Sequence, residues 1–368
     1  STKSEISITF KFKQTYIIHL FLPLIIAYFS GMILVTGGTG LVGSHLLYLL
    51  AASGSNLRAT HRKSSDLSRV KKVFGYYTDK QTAHKLFNTI EWIQADITNI
   101  PALTLAFEDC KYVYHCAAMI AFEPKKYELL KKANTQATAN IVNLALVHGI
   151  KKLCYVSSIA TLSNPENGNS ISEVTHFNQE AANNVYSLTK YAAEMEVWRA
   201  TQEGLDTIIV NPGVILGAGS WHTGSGTIFK LASKGMSYFT GGNVALVDVK
   251  DVVLAMQKLM NSNLKNKQYI LVAATESYKE FTKKLALAFD KKPPKKEIAK
   301  WKLLLVCNID ALLSSVFGTK RKLLKANVKS LYTVSNYDTQ KIKNALAFRF
   351  TPISQTITRV ANQYTCEH

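Results

Sequence analysis

Cysteine is scarce in this chain, acidic residues are outnumbered, and motifs that read nucleic acid are missing. The five cysteines are Cys110, Cys116, Cys154, Cys307 and Cys366; no two have C-x-x-C spacing, and no histidine cluster accompanies them. Cys110, Cys116 and Cys154 sit in or beside apolar runs. They read as small buried residues of a reducing compartment, which excludes a disulfide frame and a metal site. Asp and Glu number 25 against 44 Lys and Arg, a formal net charge of +19 over 368 residues. Such a balance favours phosphorylated cofactors, nucleic acid or an anionic membrane surface, or is simply a solvated basic exterior. Without an RNA- or DNA-binding motif, no nucleic-acid partner is expected. No internal repeat or long low-complexity segment is present. The apolar fraction, 47%, is ordinary for a globular protein, and the length suits one large domain or two moderate ones.

What is present is a junction. Met32-Ile33-Leu34-Val35-Thr36 runs into Gly37-Gly38-Thr39-Gly40-Leu41-Val42-Gly43, three glycines spaced G-x-x-G-x-x-G, and an apolar helical pattern follows from Leu41 to Leu50. Strand, glycine turn and helix N-terminus together make a diphosphate site, because free N–H groups and the positive helix end point at the ligand. Gly37 permits the turn, Gly40 the approach of the diphosphate, and Gly43 tight packing of helix on strand. Upstream, Tyr16–Ser30 is strongly apolar but short for a span and interrupted by His19 and Pro23. We expect the working protein, cytoplasmic in this reading, to begin at Met32, with 1–31 an extension; membrane contact through 16–30 is the alternative.

Further strands are expected at Asn56–Thr60, Ile90–Ala95, Lys111–Ala118, Lys152–Ser158 and Thr207–Val210, with helices at Ala133–His148 and Tyr186–Thr201. Their alternation predicts an α/β fold, a Rossmann-type doubly wound parallel sheet. Past Pro212 the rhythm breaks into a Gly-, Ser- and Thr-rich stretch, Gly213–Gly242. Helices are expected again at Asp248–Met260, Lys279–Ala288 and Trp301–Phe317, and a strand at Gln268–Ala273. The expected organisation is a dinucleotide-binding domain over 32–212, with 245–275 returning to it. A smaller C-terminal substrate lobe is expected from 213–244 and 276–368.

Tyr186 and Lys190 lie four apart on one predicted helix, so they share a face. An ammonium near a phenol favours the phenolate and brings the tyrosine toward acid–base use near neutrality. The preceding strand ends in Ser157-Ser158, where a hydroxyl can hold a substrate carbonyl against the tyrosine.

With these residues in place, the chain resembles an extended short-chain dehydrogenase/reductase of the epimerase/dehydratase-like superfamily. The matching elements are T-G-G-T-G-L-V-G (Thr36–Gly43), A-D-I (Ala95–Ile97), H-C-A-A (His115–Ala118) and N-T-Q-A-T (Asn134–Thr138). They continue with V-S-S (Val156–Ser158), Y-S-L-T-K (Tyr186–Lys190) and N-P-G-V-I-L-G (Asn211–Gly217). The resemblance implies Tyr186 as general acid/base, Lys190 on the nicotinamide ribose, and Ser158, with Ser157 as substitute, as the catalytic serine. It puts Gly37, Thr39, Gly40, Leu41, Val42 and Gly43 at the diphosphate and Asp96 and Ile97 along the adenine. Cys116, Ala117 and Ala118 would line the way to the nicotinamide, with Pro212 and Val214 closing over it; Asn134 is positional. NAD-preferring members usually end the second strand in an acid, whereas here Thr60-His61-Arg62-Lys63 follows, so Arg62 and Lys63 favour NADP over NAD.

The implied activity is hydride transfer between NAD(P) and a carbonyl or hydroxyl carbon of a small, fairly apolar substrate, as in dihydroflavonol-reductase-like and hydroxysteroid-dehydrogenase-like members. A nucleotide-sugar epimerase with tightly held NAD is the alternative. Ile159-Ala160 lack the acids a dehydratase wants. A non-catalytic nucleotide-binding scaffold is the reading from another class. A homodimer is common in the family.

Overall fold

Short runs rich in Val, Ile, Leu and Tyr become strands because helices cover both of their faces. The first six are β1 (Met32–Thr36), β2 (Leu57–His61), β3 (Ile90–Gln94), β4 (Cys110–His115), β5 (Lys152–Val156) and β6 (Asp206–Pro212). Then come β7 (Val214–Leu216), β8 (Tyr238–Phe239), β9 (Asn243–Asp248), β10 (Lys267–Leu271), β11 (Ala274–Ser277) and β12 (Lys296–Glu297). The computed structural model describes residues 31–165, 170–181, 183–317 and 325–368, with backbone alone at 312, 313, 315–317, 326 and 327. The expectations for Tyr16–Ser30 lie outside the described residues.

The main sheet runs β3-β2-β1-β4-β5-β6-β10, every neighbouring pair parallel. This is the Rossmann-type α/β arrangement with one added strand. Ile33 and Val35 of β1 enter one core, beside Leu46, Leu47 and Leu50 of the helix Leu41–Ala52 and Val252 and Met256 of the helix Val249–Met260. Leu34 faces the opposite core, with Ile141 and Ala145 of Ala137–Val147 and Ala193 and Val197 of Val185–Gln202. That alternation along one strand is the pleat with both faces buried.

The stretch 245–275 divides between two units. The helix Val249–Met260 and β10 belong to the main body, β10 pairing with β6 from Lys267↔Ile208 to Leu271↔Pro212. β9 instead sits between β7 and β11 in a separate three-stranded sheet. That small sheet carries its own core of Leu216, Trp221, Phe229, Leu246, Phe281, Leu285, Ile357 and Val360. Glycine makes the switch from β6 to β7: a Cβ on Gly213 would lie 2.6 Å from the Ala245 carbonyl oxygen.

The helix expected from Ala133 also differs. A π-helical turn, Lys131–Gln136, precedes the regular helix Ala137–Val147. The wider turn lets the Asn134 amide reach the backbone of Met119, accepting from its N (2.8 Å) and donating to its O (3.0 Å), and Thr189 Oγ1 (3.2 Å). Among the described residues no helix is long and apolar enough to cross a membrane, and no group of His, Cys, Asp and Glu could hold a metal ion.

Candidate cofactor and catalytic site

The glycine turn after β1 assigns a separate task to each glycine. Gly37 has φ +70°, and a Cβ there would lie 2.6 Å from the backbone N and Cα of Ala117. The turn is thus pressed against the chain that leaves β4. Gly43 is buried in the following helix, where a Cβ would fall 2.2 Å from the Gly37 oxygen. Gly40 is exposed, with only that same oxygen, at 3.3 Å, near its missing Cβ. It caps the helix Leu41–Ala52 without a side-chain hydrogen bond, and no acidic residue stands in the first turn. Uncapped N–H groups at an open glycine face suit the diphosphate of a dinucleotide. Thr39 Oγ1 lies 3.5 Å from Ser65 Oγ, tying the turn to the loop after β2. Leu41 reaches toward Gly217, and Val42 packs on the core.

Beside that loop, a cavity of about 520 Å³ is lined by Arg62, Lys63, Ser64, Gln94, Asp96, Asn99 and Ala102. Arg62 and Lys63 are exposed and form no salt bridge with a described residue. Burial alone would raise the Asp96 pKa, but hydrogen bonds from Thr98 and the charges of Arg62 and Lys132 hold it below the usual value. Ile97 accepts from Asn140 at its carbonyl and packs against the second core, next to Asp96 but not lining the cavity.

On the other side, Cys116, Ala117 and Ala118 leave β4, the Cys116 N–H donating to Thr36 O at 3.1 Å. Asn134 braces this segment through Met119, and its amide is consumed by the scaffold. His115 is buried between Thr36 Oγ1 (2.7 Å) and Thr138 Oγ1 (3.0 Å). Burial, and then the Lys190 charge, pulls its pKa down to about 3; burial likewise holds His45 at about 4. The unfolded chain therefore binds protons that the fold refuses between pH 6.5 and these values, so stability falls as pH drops through that window. Melting temperatures measured from pH 7 to pH 4 should decline, and His115→Gln should flatten the decline; an unchanged slope in the variant would show that His115 does not drive it.

Ser157, Ser158, Tyr186 and Lys190 converge where β5 ends against the helix Val185–Gln202. Ser158 caps the short turn Ile159–Thr161, its Oγ accepting from Ala160 N at 3.1 Å. Burial pushes the Tyr186 phenol up to about 12, and the nearby Ser158 side chain only partly offsets it. Phe122 packs edge-on to the Tyr186 ring, centroids 5.6 Å apart. Ser157 is turned inward and spends its hydroxyl on Glu194 Oε2 at 2.5 Å. The two serines thus differ: Ser157 is spent on Glu194, and Ser158 is the one whose side chain influences the tyrosine.

Lys190 is buried, and its ammonium donates to Tyr155 Oη at 2.5 Å and Val156 O at 2.8 Å. Burial draws its pKa down to about 7, while Glu194 and Cys116 push it back up. The expectation that Lys190 depresses the Tyr186 pKa is not met in this arrangement. Helical spacing puts the two on one face, but a buried amine takes the acceptors nearest it, and here those belong to β5. Sequence reasoning missed Glu194, one helical turn beyond Lys190. Its Oε2 accepts from Ser157, Thr161 Oγ1 (2.9 Å) and Asn211 Nδ2 (3.1 Å), binding β5, β6 and the helix into one polar knot. The signal was there to read: an acid four residues beyond Lys190, on the face that Tyr186 and Lys190 share.

Pro212 closes β6 opposite Leu271, and Val214 opens β7 opposite Leu246, so both lie at the seam between main sheet and lobe.

A family model described as "NAD dependent epimerase/dehydratase family" matches residues 33–273. Over 331 residues the chain is 27% identical to a Synechocystis sp. protein named "Putative dihydroflavonol 4-reductase", covering 88% of this chain and 91% of that one. The crystal structure of gox2253 superposes with a TM-score of 0.76 at 25% identity, covering 91% and 98% of the two chains. The Bordetella bronchiseptica enzyme WbmG in complex with NAD gives a TM-score of 0.68 at 16% identity, covering 91% and 94%, a likeness of fold.

Proposed function

Because the chain belongs to the NAD-dependent epimerase/dehydratase family, we propose that it is an oxidoreductase using NADPH, or NADH less well, on a carbonyl carbon of a small, fairly apolar substrate. One observation carries the reading: Ser158 stands at the end of β5, and the helix packed there carries Tyr186, its ring against Phe122, and one turn on the buried Lys190, held by Tyr155 and the Val156 carbonyl. When bound, the nicotinamide supplies or accepts the hydride. Gly37, Gly40 and Gly43 would hold the diphosphate, and Lys190 the nicotinamide ribose. Ser158 would donate to the substrate oxygen and Tyr186 would deliver its proton there, the role a phenol with a raised pKa fills without first titrating. In the oxidative direction Tyr186 must first lose that proton, so oxidation should accelerate with rising pH where reduction does not. The test is a panel of aryl and alicyclic ketones with NADPH oxidation followed optically. Tightly retained NAD with no turnover of any ketone would defeat the reductase reading in favour of an epimerase.

Arg62 and Lys63, lining the cavity after β2 and without a salt bridge among the described residues, support NADP over NAD through charge-assisted bonds to a 2′-phosphate. Arg62→Asp should weaken NADPH binding by about 10- to 100-fold and spare NADH, the size expected for one lost charge-assisted contact. Equal losses for both cofactors, measured by fluorescence titration, would refute the assignment.

A further inference from the structure

The helix Lys300–Phe317 keeps one face without a protein partner among the described residues. Trp301, Leu305 and Ile309, spaced i, i+4, i+8, are 64%, 53% and 48% exposed, and Val306 beside them is 52% exposed. The opposite side is anchored: Cys307 is fully buried, and Tyr332 hydrogen-bonds the carbonyl of Ile298 just before the helix. An outward row of this size on a well-seated helix costs solubility unless something covers it.

Its surroundings say what. Lys291, Lys292, Lys295, Lys296, Lys300 and Lys302 are all exposed and lie within twelve residues, against a single acid, Glu297. Lys302 Nζ sits 5.4 Å from the Trp301 ring centroid. β12, which carries Lys296, pairs with β8, setting Lys296 opposite Tyr238, itself 55% exposed. The patch is therefore a short apolar ridge with tryptophan and tyrosine at its margin and lysines around it. The helix is not one that can span a bilayer. An apolar stripe on a short helix, framed by lysines and aromatic rings, is the composition of a helix lying in a lipid headgroup layer. A protein partner would have to match a block of six exposed lysines, whereas an anionic bilayer supplies that charge over its whole surface.

We propose that this face docks the protein on the surface of a membrane rich in anionic lipid, with Trp301, Leu305 and Ile309 entering the interface and the lysine block held by headgroups. An apolar substrate dissolved in that membrane would then meet the enzyme where it resides.

The test uses the full chain and co-sedimentation with vesicles, either phosphatidylcholine alone or phosphatidylcholine with phosphatidylserine. Binding is expected to the anionic vesicles, about tenfold or more weaker on phosphatidylcholine alone and weaker in high salt. The triple variant Trp301→Ser, Leu305→Ser, Ile309→Ser should lose about tenfold or more in affinity, and so should a charge variant with Lys291, Lys292, Lys295 and Lys296 changed to Glu. Both should keep the wild-type melting temperature, since every altered side chain is exposed. Undiminished binding by the folded triple variant would place any membrane contact elsewhere, residues 16–30 included, and overturn the proposal. So would a dimer that the triple variant dissociates while vesicle binding is absent.

Discussion

Replacing Tyr186 by phenylalanine should lower kcat for ketone reduction by about 10²- to 10⁴-fold, the usual worth of a positioned proton donor, while NADPH affinity and melting temperature stay near wild type. The substitution removes one oxygen and nothing else. The ring that packs edge-on against Phe122 is kept, and Ser158 retains its bond from Ala160 N, so the site need not rearrange. Because burial holds the phenol at about 12, it is protonated throughout the neutral range and ready to donate. The pH profile separates this role from a structural one: oxidation should climb with pH in the wild type, and Tyr186→Phe should erase the climb along with the rate. The neighbouring serines sharpen the test. Ser158→Ala should cost activity with little loss of stability. Ser157→Ala strips a donor from the buried Glu194 carboxylate and should cost stability first. Full activity in Tyr186→Phe would remove the tyrosine from the chemistry.

The parts of this molecule that could be read from the chain are those whose physics is local. The glycine turn is five residues of strand, a tight bend and a helix start, each with its own signature. The strands β1 to β6 alternate with helices closely enough that only a parallel sheet accommodates them. The small lobe was not legible in the same way. β7, β9 and β11 come from 214–216, 243–248 and 274–277, and nothing in three short segments so far apart announces that they pair. β9 in particular reads like another strand of the main sheet. The site shows the same limit. Helical spacing correctly joined Tyr186, Lys190 and, had it been followed one turn further, Glu194 to a single face. It could not say that Lys190 would turn to Tyr155 and the Val156 carbonyl, because those acceptors come from a strand thirty-odd residues away. Nor could the Ser157-Ser158 doublet be resolved by pattern alone. The alternation along the chain sends the Ser157 hydroxyl inward to Glu194 and leaves that of Ser158 to cap the turn beside the tyrosine helix.

Alanine at Gly43 should cost both stability and cofactor binding, and at Gly40 cofactor binding alone, so the contrast isolates binding from folding. A Cβ on Gly43 would meet only backbone: the Gly37 oxygen at 2.2 Å, the Gly37 carbonyl carbon at 2.8 Å and the Gly38 Cα at 2.9 Å. No rotamer can relieve such a contact, so the turn itself must move. It cannot retreat freely, because Gly37 is already pressed on the backbone of Ala117 and held at φ +70°. Gly43→Ala should therefore cost about 1–3 kcal/mol of stability or more, the range for overpacking, and abolish measurable NADPH binding as the turn distorts. Gly40 has φ −81°, a conformation alanine adopts, and only one atom within 4 Å of the added methyl. Gly40→Ala should fold with at most the modest penalty of a weaker helix cap. Its methyl would project from the exposed face where the uncapped N–H groups end, and should reduce NADPH affinity about tenfold or more if the diphosphate lies there. Thermal melts and cofactor titrations on the two variants give four outcomes. A stable Gly40→Ala protein with wild-type affinity would move the diphosphate off this turn, whatever Gly43→Ala does.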